Sequence, residues 1–447
     1  MYLHAILALL FAAATITTSL PLGSPIPPLE DPFYSIPSAE IDHLPPGAII
    51  RSRKPPFPIA AFRSIPITLQ STHQLLYKTT DSHHRSIASV VTVLVPRNAN
   101  FSRVLSYLVA EDSSYGNCAP SYALQLASAT FGRLGTLLTQ AELLLMVAAL
   151  EQGFVVIAPD HEGPQGAFLA NILAGHVILD GIRAAVSSSN VTGIHRDARV
   201  ALWGYSGGSV AASFAAELHP SYAPELNIVG AALGGTIPFL SSGLASLNAG
   251  ISAGLVAAGV LGLGYEYPEI RALIDKHLLP ENREKFVKAE KQCFFSNVQT
   301  YPYMNISNMV DDPNIFDIEP ASSILKQNSL GSYTPTTPLY IYKPISDNTT
   351  PIKDTDDIVK EYCSKGASVH YERDLVSFHL SLAVTGAPKA LAWLRDRLTG
   401  KEIQTGCVTR STLSTLLDSS TIDIVPGYLL DLLLDLLKMP VGPGFFG

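Results

Sequence analysis

Short apolar runs and helical stripes take turns along this chain. Residues 64–78 and 87–96 alternate apolar and polar positions and are rich in Val, Ile, Leu and Thr, which predicts two neighbouring strands with Asp81, Ser82, His83 and His84 as the turn. Residues 104–110 predict a further strand that delivers Glu111 and Asp112 at its carboxyl end, the edge where open α/β sheets bind ligands. Residues 141–151 predict a helix, 154–158 a short buried strand and 166–186 a second helix. Strands that alternate with helices imply a largely parallel sheet with helices on both faces.

The next run, RVALWGYSGGSVAASFAAELHP, organises the rest. Val200, Ala201, Leu202 and Trp203 supply a strand, and Val210, Phe214 and Leu218 recur at helical spacing behind it. Between them Gly204-Tyr205-Ser206-Gly207-Gly208 fits G-x-S-x-G, a strained strand-to-helix turn on which a serine hydroxyl stands clear of the sheet. The helix dipole and the Gly207 N–H would both favour negative charge on an attacked carbonyl oxygen. The rival is a Gly/Ser-rich turn before an ordinary helix.

Residues 226–265 contain no Asp, Glu, Lys, Arg or His, enough uncharged chain to span a bilayer. Glycines and Pro238 interrupt them, so 227–232 predict a sheet strand and the remainder an apolar helical insertion that runs to about Gln327. Such an excursion suits either a lid or plain packing. Residues 338–342 then restore a strand, 354–364 predict a helix, 368–372 a strand and 381–398 a terminal helix. Asp347 and His379 fall in the loops after those two strands, and the order Ser206, Asp347, His379 is that of nucleophile, acid and base in α/β-hydrolases. A serine hydroxyl needs an imidazole to take its proton, and the imidazole needs a carboxylate to fix its tautomer. Asp374 competes for the acid's place, whereas Asp354, Asp356 and Asp357 suit helix-start capping and His370 lies inside a strand. Asp160, His161 and Glu162 read as a loop that caps the following helix, since no second ligand pair at metal spacing accompanies them.

Composition adds an address. The chain of 447 residues has a formal charge of −8 with only 15% charged residues, so it carries no electrostatic footprint for nucleic acid. The apolar run 5–16 followed by small residues and a Pro-rich stretch reads as a secretory leader over residues 1–20, although it lacks Lys and Arg at its start. Sequons at Asn100, Asn190, Asn305 and Asn348 suit a secreted glycoprotein; glycans are expected on the first three and none on Asn348, beside the proposed acid. Cys118, Cys293, Cys363 and Cys407 lack zinc spacing and predict two disulfides, for which the sequence permits three pairings.

GYSGGS, YAPELNIVGAALGGT, the DHEG loop, ASSILKQ and the closing order Asp, Cys, Lys-Gly-Ala, His-Leu together resemble the fungal secretory lipase family, from about Gly47 to Cys407. The resemblance implies an α/β-hydrolase fold with a helical lid and a C-terminal flap. It also implies Ser206 as nucleophile, Asp347 as acid, His379 as base, and Gly207 with Asp112 as oxyanion hole. The disulfides it implies are Cys118 to Cys293 and Cys363 to Cys407. The domain boundaries then expected are a core over 21–235 and 331–400, a lid over 236–330 and a flap or tail over 401–447. The tail departs from the family: YLLDLLLDLLK at 428–438 suits either an interfacial anchor or a helix packed on the body.

The reading that follows is a secreted, monomeric carboxylic ester hydrolase acting on acylglycerols at a lipid interface, without metal or organic cofactor and without a membrane span in the mature chain. A short-acyl esterase acting on a secondary metabolite uses the same triad, as does a peptidase. A non-catalytic binding protein on this fold would be expected to have lost a triad member.

Overall fold

The computed structural model describes residues 23–422 apart from Arg133, Ile403 and Gln404. The leader pattern and the leucine-rich stretch at 428–438 therefore lie outside the described residues. The strands of the main sheet are β1 (Ile49–Arg53), β2 (Ser71–Thr80), β3 (Ser86–Val95), β4 (Asn100–Leu108), β5 (Phe154–Pro159), β6 (Arg199–Tyr205), β7 (Ile228–Gly234), β8 (Leu339–Pro344), β9 (Val369–Asp374) and β10 (Cys407–Thr412). They form a ten-stranded sheet in the order β1-β2-β3-β5-β4-β6-β7-β8-β9-β10. The pairings from β5 through to β10 are parallel, and β1, β2 and β3 add an antiparallel edge.

The period-two alternation of β6 sorts the two faces of the core. Val200 and Leu202 face helices α2 (Asn171–Ser187) and α3 (Gly207–Tyr222), whereas Ala201, Trp203 and Tyr205 face α1 (Leu137–Glu151). Val210, Phe214 and Leu218 form the buried stripe of α3, as their spacing predicts. Between β7 and β8 the chain leaves the sheet for a helical excursion that includes α4 (Leu240–Leu247), α5 (Gly254–Glu266), α6 (Pro268–His277) and α7 (Ala321–Gln327). Among the described residues no helix is long and apolar enough to cross a membrane. The uncharged run at 226–265 is spent instead on β7, α4 and α5, whose apolar side chains pack into the core.

Several expected boundaries shift for physical reasons. The strand expected from 64 begins at Ser71, because Ile65–Pro66 pairs with Ala60–Ala61 in a separate ribbon. The helix expected from Gly166 starts at Asn171, since Gly166 and Leu169 take φ of +78° and +70° and break any helical turn. After β9 come α8 (His379–Thr385) and α9 (Ala387–Leu398) rather than one helix: Gly386 separates them and Pro388 opens the second.

The disulfides join Cys118 to Cys293 and Cys363 to Cys407. The first ties the loop after β4 to the helical excursion. The second ties the helix Ile352–Ser364 to the edge strand β10.

The turn from β6 into α3 depends on backbone touching backbone. A Cβ on Gly204 would overlap the Gly208 carbonyl, and one on Gly208 would overlap the Leu108 carbonyl at the end of β4. Gly208→Ala is therefore expected to lower stability by about 3 kcal/mol, the upper end for overpacking, as measured by urea unfolding followed by circular dichroism.

Candidate active site

The strand-to-helix turn holds Ser206 at φ 52° and ψ −122°, a conformation that costs a non-glycine residue energy and is kept only where the surroundings enforce it. The Ser206 N–H donates to the Gly234 carbonyl at 2.8 Å, and the Ser209 hydroxyl donates to the Ser206 carbonyl at 2.8 Å. The hydroxyl is thereby aimed past the carboxyl ends of the strands. His379 Nε2 lies 2.9 Å from Ser206 Oγ, and His379 Nδ1 lies 2.9 Å from Asp347 Oδ2. Side chains from the strand-to-helix turn, from the loop after β8 and from the first residue of α8 thus form one hydrogen-bonded line. Such a line can move a proton from hydroxyl to imidazole while the carboxylate keeps the ring's orientation.

Each member is held from behind. Asp347 Oδ1 accepts from the Thr349 and Thr350 amides at 2.7 and 3.2 Å, an arrangement the short loop after β8 produces by folding back on its own carboxylate. The Tyr205 hydroxyl donates to the His379 carbonyl. Its ring stands 5.4 Å from the imidazole. Asp374, the alternative acid, is turned away: its carboxylate accepts from the Val376, Ser377 and Thr415 amides and shapes the loop that presents His379. His370 pairs with Glu372 away from this line. Asp356 pairs with Arg373 and Tyr371 rather than capping its helix, and Asp357 pairs with Lys353.

Lys343 was absent from the sequence reading. Its Nζ lies 2.7 Å from Asp347 Oδ2, with both side chains fully shielded from solvent. The signal was a charge inside the apolar strand LYIYKP, four residues before the acid. Burial alone would raise the Asp347 carboxyl, but the hydrogen bond and charge of His379, followed by Lys343, hold it well below the ordinary range. Burial pulls the Lys343 ammonium down, and Asp347 opposes that.

On the other side of Ser206 the loop after β4 is held by carboxyls. Glu142 accepts from the Ala110 amide and the Tyr107 hydroxyl, Asp160 from the Ser121 amide and hydroxyl, and Glu162 from the Ser113 amide. Asp160 and Glu162 therefore fasten this loop, and none of Asp160, His161 and Glu162 caps the next helix. Their partners lie too far away in sequence for local pattern to reveal. Asp112 sits at φ 46°, with its carboxyl against the open face of Gly207 where a Cβ would collide. Its amide reaches toward the Glu162 carboxyl, so it must be shared with that group to meet an oxyanion. Glu111 Oε2 and His161 Nδ1 lack a hydrogen-bond partner among the described residues. No cluster among those residues has the make-up of a metal site.

Beside Ser206 and Gly207 opens a narrow, mostly apolar cleft. Phe168, Leu169, Val210, Leu240, Leu244 and Leu255 line much of it. α4 roofs it with Leu240, Leu244 and Leu247 at helical spacing, while Ser241, Ala245 and Ser246 face outward. Asn100, Asn190 and Asn305 are exposed, and so is Asn348.

A sequence model of the family described as secretory lipase matches residues 129–406. Lipase A of Arthroderma benhamiae is 48% identical over 432 residues, which cover 96% of this chain and 92% of that protein. A Mycobacterium tuberculosis protein named probable inactive lipase MT1628 is 37% identical, with 89% of this chain and 88% of the relative covered. Among solved structures, Candida antarctica lipase A in its closed state superposes with a TM-score of 0.81 at 31% identity, covering 93% of this chain and 96% of that one.

The buried carboxyls give stability a sign with pH. Burial pushes Asp112 and Asp160 up to about 7 and Glu142 up to about 8. Glu111 and Glu162 are raised by burial and by neighbouring carboxylates. A carboxyl raised on folding keeps a proton that the unfolded chain has lost, so its contribution is complete at acid pH and is lost as pH climbs to 7 or 8. His161 and His176, pushed down to about 4 by burial, act in the opposite sense only between 4 and 6.5. The melting temperature is expected to fall by on the order of 5 °C between about pH 6 and about pH 8 by calorimetry, and Asp112→Asn to remove part of that fall.

Proposed function

This chain belongs to the secretory lipase family and is an ester-hydrolysing enzyme, and we propose that Ser206, His379 and Asp347 carry out the hydrolysis on acylglycerols presented at a lipid surface. The observation that carries this reading is the hydrogen-bonded line from Asp347 through His379 to Ser206, with 2.9 Å at each step. His379 Nε2 takes the hydroxyl proton as Ser206 Oγ attacks the ester carbonyl. The carbonyl oxygen becomes an oxyanion at the N-terminus of α3, where the Gly207 and Asp112 amides stabilise it. Collapse breaks the bond to the alcohol, which leaves with the proton from His379. Water then loses a proton to His379 and attacks the acyl-Ser206 carbonyl, and the proton returns to Ser206 as the carboxylic acid departs. Asp347 holds the His379 Nδ1–H throughout and stays ionised. One relative is named a probable inactive lipase; here all three side chains stand in register.

The lipid surface is argued from apolarity. The cleft beside Ser206 offers an acyl chain hydrocarbon walls, and α4 roofs it as a lid within a cap over 236–330. Around His379 the exposed side chains from 375 to 386 are Leu375, Val376, Phe378, Leu380 and Val384, next to exposed Leu413. No exposed charge interrupts them, because Asp374 is buried. A patch of this kind beside a reacting serine suits an ester held in an aggregate. Secretion is proposed from the leader pattern, the two disulfides and the exposed sequons Asn100, Asn190 and Asn305. The flap expected over 401–447 gives up β10 to the main sheet, so the same reading assigns a flap only to residues beyond that strand, and it assigns the catalytic unit to a monomer.

The test is hydrolysis of p-nitrophenyl esters from acetyl to palmitoyl. Activity on long chains that drops by at least about 10³-fold in Ser206→Ala is expected; activity confined to acetyl and butyryl would replace the lipase by a short-acyl esterase. Phe378→Ser with Leu380→Ser should lower the rate on emulsified triacylglycerol by on the order of tenfold and leave soluble esters within about twofold, and equal losses on both would remove the patch from lipid contact.

A further inference from the structure

Lys343, the next-to-last residue of β8, carries a charge fully shielded from solvent. A lysine in such a place needs partners buried with it. Its ammonium donates to the Thr236 carbonyl at 3.0 Å and to the Thr350 hydroxyl at 2.6 Å, and it meets Asp347 Oδ2 at 2.7 Å. That oxygen is also the one that accepts from His379 Nδ1. One carboxylate oxygen therefore serves two nitrogens, while the other takes two backbone amides.

In a serine, histidine and carboxylate line standing alone, the carboxylate is an unbalanced negative charge that draws a proton onto the free ring. Here the ammonium already balances it. The resting unit of Lys343, Asp347 and neutral His379 has no net charge, and it gains one positive charge when the ring is protonated. The hydrogen bond that orients the ring remains, but the pull toward a protonated resting state is weakened. We propose that Lys343 is a positioning residue that fixes the Asp347 carboxylate and, by neutralising it, keeps His379 free to act as base in mildly acid medium. The proposal rests on the roles given above to Ser206, His379 and Asp347.

The other charged and titratable groups around this unit do not substitute for the ammonium. Tyr205, from β6, uses its hydroxyl on the His379 carbonyl. Asp374, at the end of β9, is consumed by three amides. Asp354, in the helix Ile352–Ser364, acts on Lys343 with a negative charge and strengthens its cationic form. The carboxyls of Asp112 and Glu162 line the cleft on the far side of Ser206.

Two variants separate charge from position. Lys343→Gln keeps a donor in the buried slot and removes the charge, whereas Lys343→Met removes both. Their kcat/KM for p-nitrophenyl butyrate is to be followed from about pH 4 to about pH 9 in the full-length enzyme, with product read after alkaline quenching and folding checked by melting. In both variants the acid limb should move up by about one pH unit. The plateau should stay within about threefold for Gln and fall about tenfold for Met. An acid limb that stays in place in both variants, whatever the plateau, overturns the proposal and leaves Lys343 a structural residue. Should the methionine variant not fold, the glutamine variant decides alone. Ser206→Ala is run beside them: activity that survives in it removes the triad reading and this proposal together, whereas Ser206-dependent activity with an unmoved limb removes this proposal alone.

Discussion

The approach of two backbones, α3 at Gly208 and β4 at Leu108, is the constraint on which the rest of the arrangement depends. Any side chain at Gly208 would push the helix away from the sheet. The φ of +52° at Ser206 would then have nothing to enforce it. With the helix pressed against β4, the loop that follows β4 is brought beside the first turn of α3, so that Asp112 lies over Gly207. Glycine's missing Cβ is thus spent twice within two residues: once to close the packing and once to leave room at the helix N-terminus for what reacts there.

The two sides of Ser206 follow opposite electrostatic plans. On the side of His379, Asp347 is ionised and saturated with donors, and its charge is matched by Lys343. On the side of Gly207 and Asp112, burial raises the carboxyls, and those of Glu142 and Glu162 hold the loop through backbone amides. In the mechanism proposed above, a neutral carboxyl there would repel the oxyanion less than a carboxylate would.

Much of this was legible in the sequence, because the elements that carry it are local. The strand, glycine turn and helix around Ser206 lie within about twenty consecutive residues, and the apolar alternation on either side fixes which end of the strand meets solvent. Asp347 and His379 were readable as loop residues after strands in the right order. What could not be read was set by contacts between distant residues. Asp160 serves Ser121 and Glu162 serves Ser113, and no pattern near either carboxyl names its partner. The late start of α2 was hidden because Gly166 and Leu169 fit a helical apolar stripe as well as they fit the left-handed turns they adopt. Gly386 concealed the break between α8 and α9 in the same way. Lys343 was visible as an anomaly in an apolar strand, although its meaning required the fold.

The Cys118–Cys293 bridge, with Lys343 on the Thr236 carbonyl, limits how the roof of the cleft can be displaced. The excursion is pinned where it leaves the sheet, at Thr236, and again far along its length at Cys293, where it is stitched to the loop that carries Asp112. A swing of the whole excursion as one rigid plate would drag that loop out of register with Ser206. The span between the two pins, which holds α4 and α5, is tethered only at its ends by these contacts. The excursion is held as a bridge deck is held between piers, rather than as a door on one hinge.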